Sequence, residues 1–268
     1  MPKQATPTGA NPTGIDAYKP AEIAQRIEEA GVGKTELGIV QITALSLLAG
    51  AFIAFGAAFY TVVMTGVDGG YGPARLLGGA AFSLGLILVV VGGAELFTGN
   101  ALMVMAWVDR RISTSAMLRV WLIVYLGNLA GAVGMAVLVS FSGTLNGPVG
   151  ELAVRIAEAK MALPPVEALV RGILCNALVC LAVWLTFAAQ SVAGKILAVL
   201  WPITAFVALG FEHSVANMYL IPLGLLQGAE GGLGGLLANL VPVTVGNVIG
   251  GAGGVALAYW AAYRRKAA

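Results

Sequence analysis

Long stretches without a single Asp, Glu, Lys, Arg or His run through this chain, and they decide what it can fold into. Crossing a bilayer as a helix takes about 20 consecutive apolar residues. Leu37 to Val67, Val120 to Gly150, Gly172 to Gly194 and Gly231 to Tyr263 meet that requirement without a break. Leu76 to Ala94 is stopped by Glu95 and resumes from Leu96 to Val108. Ile196 to Phe211 is stopped by Glu212-His213 and resumes from Ser214 to Ala229. The pattern predicts an all-α membrane protein with six transmembrane helices, spans two and five interrupted. A chain that is 59% hydrophobic and 10% charged, where soluble domains carry about 25% charged residues, could not cover a water-soluble surface. A net charge of +2 is too small to imply a polyanion, so no nucleic-acid partner is expected. Cys175 and Cys180 lie in an apolar run at neither a redox nor a metal spacing. They read as buried, inert thiols, and no metal or other cofactor is expected.

Basic residues set the orientation. With six spans both termini share a side, which receives Lys3, Lys19, Arg26, Lys34, Arg110, Arg111, Arg119, Lys195, Arg264, Arg265 and Lys266. The other side receives only Arg75, Arg155, Lys160 and Arg171. Both termini are therefore expected in the cytoplasm, in a multi-pass protein of a cytoplasmic (inner) membrane. The first segment, Met1 to Pro20, is polar and lacks the apolar core of a signal peptide. The expected organisation is a cytoplasmic tail over 1–35, a channel domain over 36–263 and a short cytoplasmic tail over 264–268. Ala21 to Ala30 reads as a short amphipathic helix at the membrane surface, with Ile23 and Ile27 inward and Glu22, Arg26, Glu28 and Glu29 outward.

An internal repeat organises the spans. Gly93-Ala94-Glu95-Leu96-Phe97-Thr98 in span two corresponds to Gly210-Phe211-Glu212-His213-Ser214 in span five. Gly127-Asn128-Leu129-Ala130-Gly131 in span three corresponds to Gly246-Asn247-Val248-Ile249-Gly250 in span six. The offsets are 117 residues between the glutamates and 119 between the asparagines. Each unit holds three spans, an odd number, so the two copies are expected to be inverted. Inverted repeats with broken helices at matching positions are a property of transporters and channels, because broken backbone at membrane depth must line a cavity or be buried in protein.

Ionisable groups inside spans are costly, by roughly 2.5–3.5 kcal/mol at a helix centre, and this chain keeps Glu95, Glu212 and His213 there. The symmetric glutamates are expected to hold the breaks in shape. His213, the chain's single histidine, has Leu96 in the matching slot of the first half. An asymmetric residue in a symmetric frame points to the permeant. Enzyme readings lack their partners: one histidine cannot supply H-E-x-x-H, Asp16, Asp68 and Asp109 lie outside the spans, and Ser214 is poorly placed to pair with its neighbour His213. The chain is therefore expected not to be an enzyme.

Phe211-Glu212-His213-Ser214-Val215-Ala216-Asn217-Met218, Glu95-Leu96-Phe97-Thr98 and Leu178-Val179-Cys180-Leu181-Ala182-Val183-Trp184 closely resemble the formate–nitrite transporter family, over about Tyr18 to Tyr263. Phe82-Ser83-Leu84-Gly85-Leu86-Ile87-Leu88 and Asn239 to Asn247 resemble its formate-channel branch. The resemblance implies an aquaporin-like protomer in a bacterial or archaeal membrane, assembled as a homopentamer with one pore per subunit. It implies proton-linked passage of formate, with nitrite, hydrosulfide or a short-chain organic anion as alternative permeants. It also implies that Thr98 hydrogen-bonds His213, and that Phe82, Leu86, Leu96 and Phe206 form apolar constrictions around that histidine. Lys160 and Asn176 are then expected on the periplasmic approach, where a positive charge gathers anions.

Overall fold

The computed structural model describes residues 17–264. The expectations resting on residues 1–16 and 265–268, Lys3, Asp16, Arg265 and Lys266 among them, lie outside the described residues. Every regular element among the described residues is a helix: α1 (Pro20–Glu36), α2 (Ile39–Met64), α3 (Gly72–Phe82), α4 (Leu84–Gly92), a 3-10 segment (Gly99–Met103) running into α5 (Val104–Val108), α6 (Thr114–Phe141), α7 (Pro148–Met161), α8 (Pro165–Ala188), α9 (Val192–Ala208), α10 (Ser214–Leu226), α11 (Gly232–Val248), a π-helical stretch (Ile249–Ala256) and α12 (Leu257–Tyr263). Five segments are long and apolar enough to cross a membrane: α2, Gly72–Gly92, α6, α8 and Gly232–Tyr263. The chain is a multi-pass helical membrane protein.

Both interruptions fall where the glutamates stand. α4 stops at Gly92 and regular structure resumes at Gly99; α9 stops at Ala208 and α10 begins at Ser214. Each exit is made by a glycine in the left-handed region, Gly93 at φ 78° and Gly210 at φ 74°. A side chain there would clash with the backbone, which is why helices so often end on glycine.

The two G-x-x-x-G motifs bring backbones together. A Cβ on Gly127 would collide with the Ser46 side chain, and one on Gly131 with the Leu47 carbonyl, both on α2. A Cβ on Gly246 or Gly250 would collide with the Leu169 or Ile173 carbonyl of α8. Lipid tails give no hydrophobic push between helices, so this van der Waals contact is what holds α2 to α6 and α8 to α11.

The structure departs from the sequence reading in three places. α1 is longer than the expected Ala21 to Ala30 and packs on the chain itself: Gly31 faces Met103 and Ala106, and Ile23, Ala24 and Ile27 are buried with it. Glu28, expected outward, is completely buried, because Arg264 (2.9 Å) and Arg111 (3.5 Å) converge on its carboxylate. Burial pushes this carboxyl above its ordinary range despite the Arg264 hydrogen bond. Finally, α7 was not expected. It carries Glu151, Arg155, Glu158 and Lys160, and it buries Gly150, Ala153 and Ala157, a stripe too small to show as hydrophobic periodicity.

Candidate functional site

Asparagines, not glutamates, satisfy the open backbone at the breaks. Asn128 Oδ1 accepts from the Phe97 N–H (2.9 Å), while its Nδ2 donates to the carbonyls of Ser46 (2.8 Å) and Glu95 (2.9 Å). Asn247 repeats the pattern: Oδ1 accepts from the Ser214 N–H (2.9 Å) and Nδ2 donates to Gly172 O (2.8 Å) and Glu212 O (2.9 Å). Only a side-chain amide offers an acceptor and two donors in one plane. This explains why one Asn per half suffices, and why it sits between the glycines that let the helix approach.

The glutamate side chains do something else. Glu95 binds Lys34 Nζ with both oxygens (2.7 and 2.6 Å) and accepts from Asn100 Nδ2 (3.0 Å). Glu212 accepts from Lys160 Nζ (2.8 Å) and Asn217 Nδ2 (2.6 Å). Each carboxylate thus reaches five residues ahead, across the break, and finds its counter-charge on a helix outside the span, α1 or α7. The carboxylates of the two glutamates, expected to hold the breaks, bond side chains there and not backbone N–H groups. Asn239 adds a second-half contact, donating to Lys160 O (2.9 Å). Lys34, Asn100, Asn217 and Asn239 were missed. The 117-residue offset between Asn100 and Asn217 matches that of the glutamates and could have revealed that pair; Lys34 left no such signal.

Between the breaks, His213 Nε2 lies 2.9 Å from Thr98 Oγ1. His213 is also the N-cap of α10, its Nδ1 accepting from the Ala216 N–H at 3.1 Å. A nitrogen that accepts a hydrogen bond carries no proton, so in this geometry the neutral ring holds its proton on Nε2, toward Thr98. Phe206 stacks on the imidazole at 5.9 Å and meets Phe82 edge-on at 5.5 Å. Phe82, Leu86, Leu96, Phe206 and His213 line a cavity of about 10 Å³, with Ile53, Val179 and Ile203 completing its wall. Those last three carry no polar signal and were not singled out.

Larger cavities lie on either side. One of about 360 Å³ is lined by Lys34, Glu95, Leu96, Asn100 and Lys195. The other, about 90 Å³, is lined by Lys160, Glu212, His213, Phe82 and Phe206. Lys160 therefore borders the cavity expected of it, but ion-paired. Asn176 does not line it: it is buried behind the first break, donating to Thr98 O (3.2 Å) and Asn247 O (2.6 Å). An amide beside a carbonyl of the unwound backbone at Thr98 and one near the end of α11 at Asn247 is better used there than on an open approach.

A dry histidine between two broken helices is a motif that sequence comparison can test, and residues 21–261 match the formate/nitrite transporter family. The chain belongs to the formate/nitrite transporter family. Its relatives include the uncharacterized transporter YrhG of Bacillus subtilis, 44% identical over 92% of this chain and 94% of that protein. Formate channel FocA of Escherichia coli is 39% identical over 94% of this chain and 96% of its own length. A solved pentameric formate channel with formate bound matches at 35% identity with a TM-score of 0.76, covering 85% of this chain and 98% of that one. Members of this family are channels and transporters.

Proposed function

We propose that this family member is a formate channel. In this reading residues 36–263 form a six-span, aquaporin-like protomer of two inverted three-helix repeats. Five protomers assemble with one pore each in a bacterial or archaeal cytoplasmic membrane, both termini inside. The observation that carries it is the cavity of about 10 Å³ at the centre, where seven apolar side chains close around His213 between two wider, cation-bearing cavities. Its volume is about that of one water, so formate, with three heavy atoms, passes only when Leu96, Phe206 or their neighbours move.

A carboxylate entering that site would lose hydration worth several kcal/mol. His213 can relieve this in two ways. The neutral ring can turn its Nε2–H from Thr98 to the anion. Alternatively an imidazolium can hand a proton to formate, giving formic acid and neutral imidazole, with the reverse transfer after passage. The second route has a structural consequence. A second ring proton must sit on Nδ1, so the Ala216 N–H loses its acceptor and the start of α10 is uncapped while His213 is charged.

The test is proton-linked formate uptake by proteoliposomes from about pH 5 to about pH 8, the range over which histidine titrates, for the parent and His213→Asn. Asparagine keeps a good N-cap but cannot exchange a proton. The expected result is a folded oligomer that has lost proton-coupled uptake. Uptake with the parent's rate and pH profile would falsify the histidine mechanism while leaving the channel reading intact. Nitrite, hydrosulfide and short organic anions belong in the same panel; faster movement of any of them reassigns the permeant within the family.

A further inference from the structure

The cations around the two breaks are of two kinds. Lys34 and Lys160 touch Glu95 and Glu212 at 2.6 and 2.8 Å, so each pair is close to neutral and projects little field into its cavity. Two other cations, one lining the larger cavity and one touching the wall of the smaller, have no carboxylate in salt-bridge reach among the described residues. Lys195 lines the larger cavity beside Lys34 and Glu95. Arg75 reaches Gly210, whose Cβ, were there one, would lie 3.2 Å from its Nη2. Gly210 lines the smaller cavity with Lys160 and Glu212. Both side chains are half-buried.

Their placement follows the repeat. Arg75 is the fourth residue of α3 and Lys195 the fourth residue of α9, an offset of 120 residues beside the 117 of the glutamates. Each helix begins beside the break of the opposite half and runs inward to its own. The first half thus supplies the free cation of the second break, and the second half that of the first. On the Arg75 side, Arg155 and Arg171 are already matched by Glu151 (3.8 Å) and Glu167 (2.9 Å).

We propose that Arg75 and Lys195 are the anion-recruiting charges of the two pore mouths, each acting on permeant arriving from its own face, while the paired lysines contribute no net attraction. This rests on the pore reading above. A unit charge about 8 Å from the path, at an effective dielectric between about 40 and 80, changes the local concentration of a monovalent anion about two- to sixfold. Salt removes the effect: the screening length is about 30 Å at 0.01 M and about 3 Å at 1 M.

The experiment measures initial formate flux in right-side-out and inside-out membrane vesicles for the parent, Arg75→Gln, Lys195→Gln and Arg75→Lys. At about 0.01 M ionic strength and subsaturating formate, Arg75→Gln is expected to lose about two- to sixfold of entry from its own face. Its maximal rate should hold, and the loss should vanish near 1 M salt. Lys195→Gln should do the same from the other face, and Arg75→Lys should restore entry. A loss that persists at high salt, that is equal from both faces, or that lowers only the maximal rate overturns the inference, as does no loss at low salt. A parent that moves no formate overturns the pore reading itself, a result distinct from all of these.

Discussion

Replacing Asn128 with alanine tests whether the breaks are built on the asparagines. Three hydrogen bonds disappear, but they are not equivalent. The Ser46 carbonyl lies within α2 and keeps its helical partner, so its loss is small. The Phe97 N–H and the Glu95 carbonyl sit in unwound backbone and are left bare. At about 1–3 kcal/mol for each buried group without a partner, the substitution costs about 2–6 kcal/mol. A competing estimate takes side-chain hydrogen bonds in membranes at about 0.6 kcal/mol each, which for three bonds gives about 2 kcal/mol. That average applies where the unfolded chain in the membrane finds other partners for the same groups. Here Gly93 at φ 78° stops Phe97 and Glu95 from rejoining a helix while the rest of the fold stands, so the higher range is expected. Thermal unfolding of the detergent-solubilised oligomer is the assay, with Asn247→Ala as the repeat-matched variant and Leu126→Ala, on the exposed face of α6, as the control. A loss below about 1 kcal/mol for both asparagine variants, less than one orphaned group costs, would refute the argument.

Glu28→Gln should flatten the acid side of the stability profile. A carboxyl held above its ordinary value in the fold, here by burial, binds its proton more tightly folded than unfolded. It therefore contributes stability below the unfolded value of 4.5 that is lost as pH rises through the raised one, and melting curves taken upward from about that pH should show the fall in the parent only. Gly131→Val and Gly246→Val each force a side chain into a facing carbonyl, and should destabilise by at least the 1–3 kcal/mol typical of overpacking, read as loss of the folded oligomer by size exclusion. His213→Leu should melt about 1 kcal/mol below His213→Asn, since leucine cannot cap α10; equal stability would mean that the cap carries no weight. Native mass spectrometry in mild detergent should give five chains per particle, and a monomer would remove the pentamer from the proposal.

What could be read from the sequence followed from chemistry that is rare in a membrane. A carboxylate inside an apolar run is costly enough that Glu95 and Glu212 mark their breaks unaided, and the repeat offset then exposes the odd position at His213. Phe82, Leu86, Leu96 and Phe206 came from family resemblance, because apolar residues in an apolar span look alike; Ile53, Val179 and Ile203 stayed hidden for that reason. The hydrogen-bonding role of Asn128 and Asn247 was masked by the glycines around them, which read as a packing motif. Glu28 was misplaced because burial of a charge depends on partners distant in sequence, in this case Arg111 and Arg264. The pairing of Lys160 with Glu212 was hidden for the same reason, the two being brought together by the fold.

The residue that breaks the symmetry also explains why the two half-helices after the breaks differ. His213 accepts from the Ala216 N–H, so α10 starts as a regular α-helix at Ser214. In the matching slot Leu96 has no acceptor to offer. Two residues on, Thr98 would be a natural N-cap, yet it makes no cap hydrogen bond to the segment that follows it; its hydroxyl is engaged with His213 instead. The first break consequently continues as the 3-10 segment Gly99–Met103, the tighter form that helix starts adopt when their N–H groups are not capped. That narrower segment lies against the π-helical stretch of the other half, where a Cβ on Gly251 would collide with Ala101 and Asn176. Gly251 thus gives the first break the room to pack that a side chain at this position would take away. One histidine, by capping its own helix and bonding Thr98 ahead of the other, is in contact with the start of both half-helices.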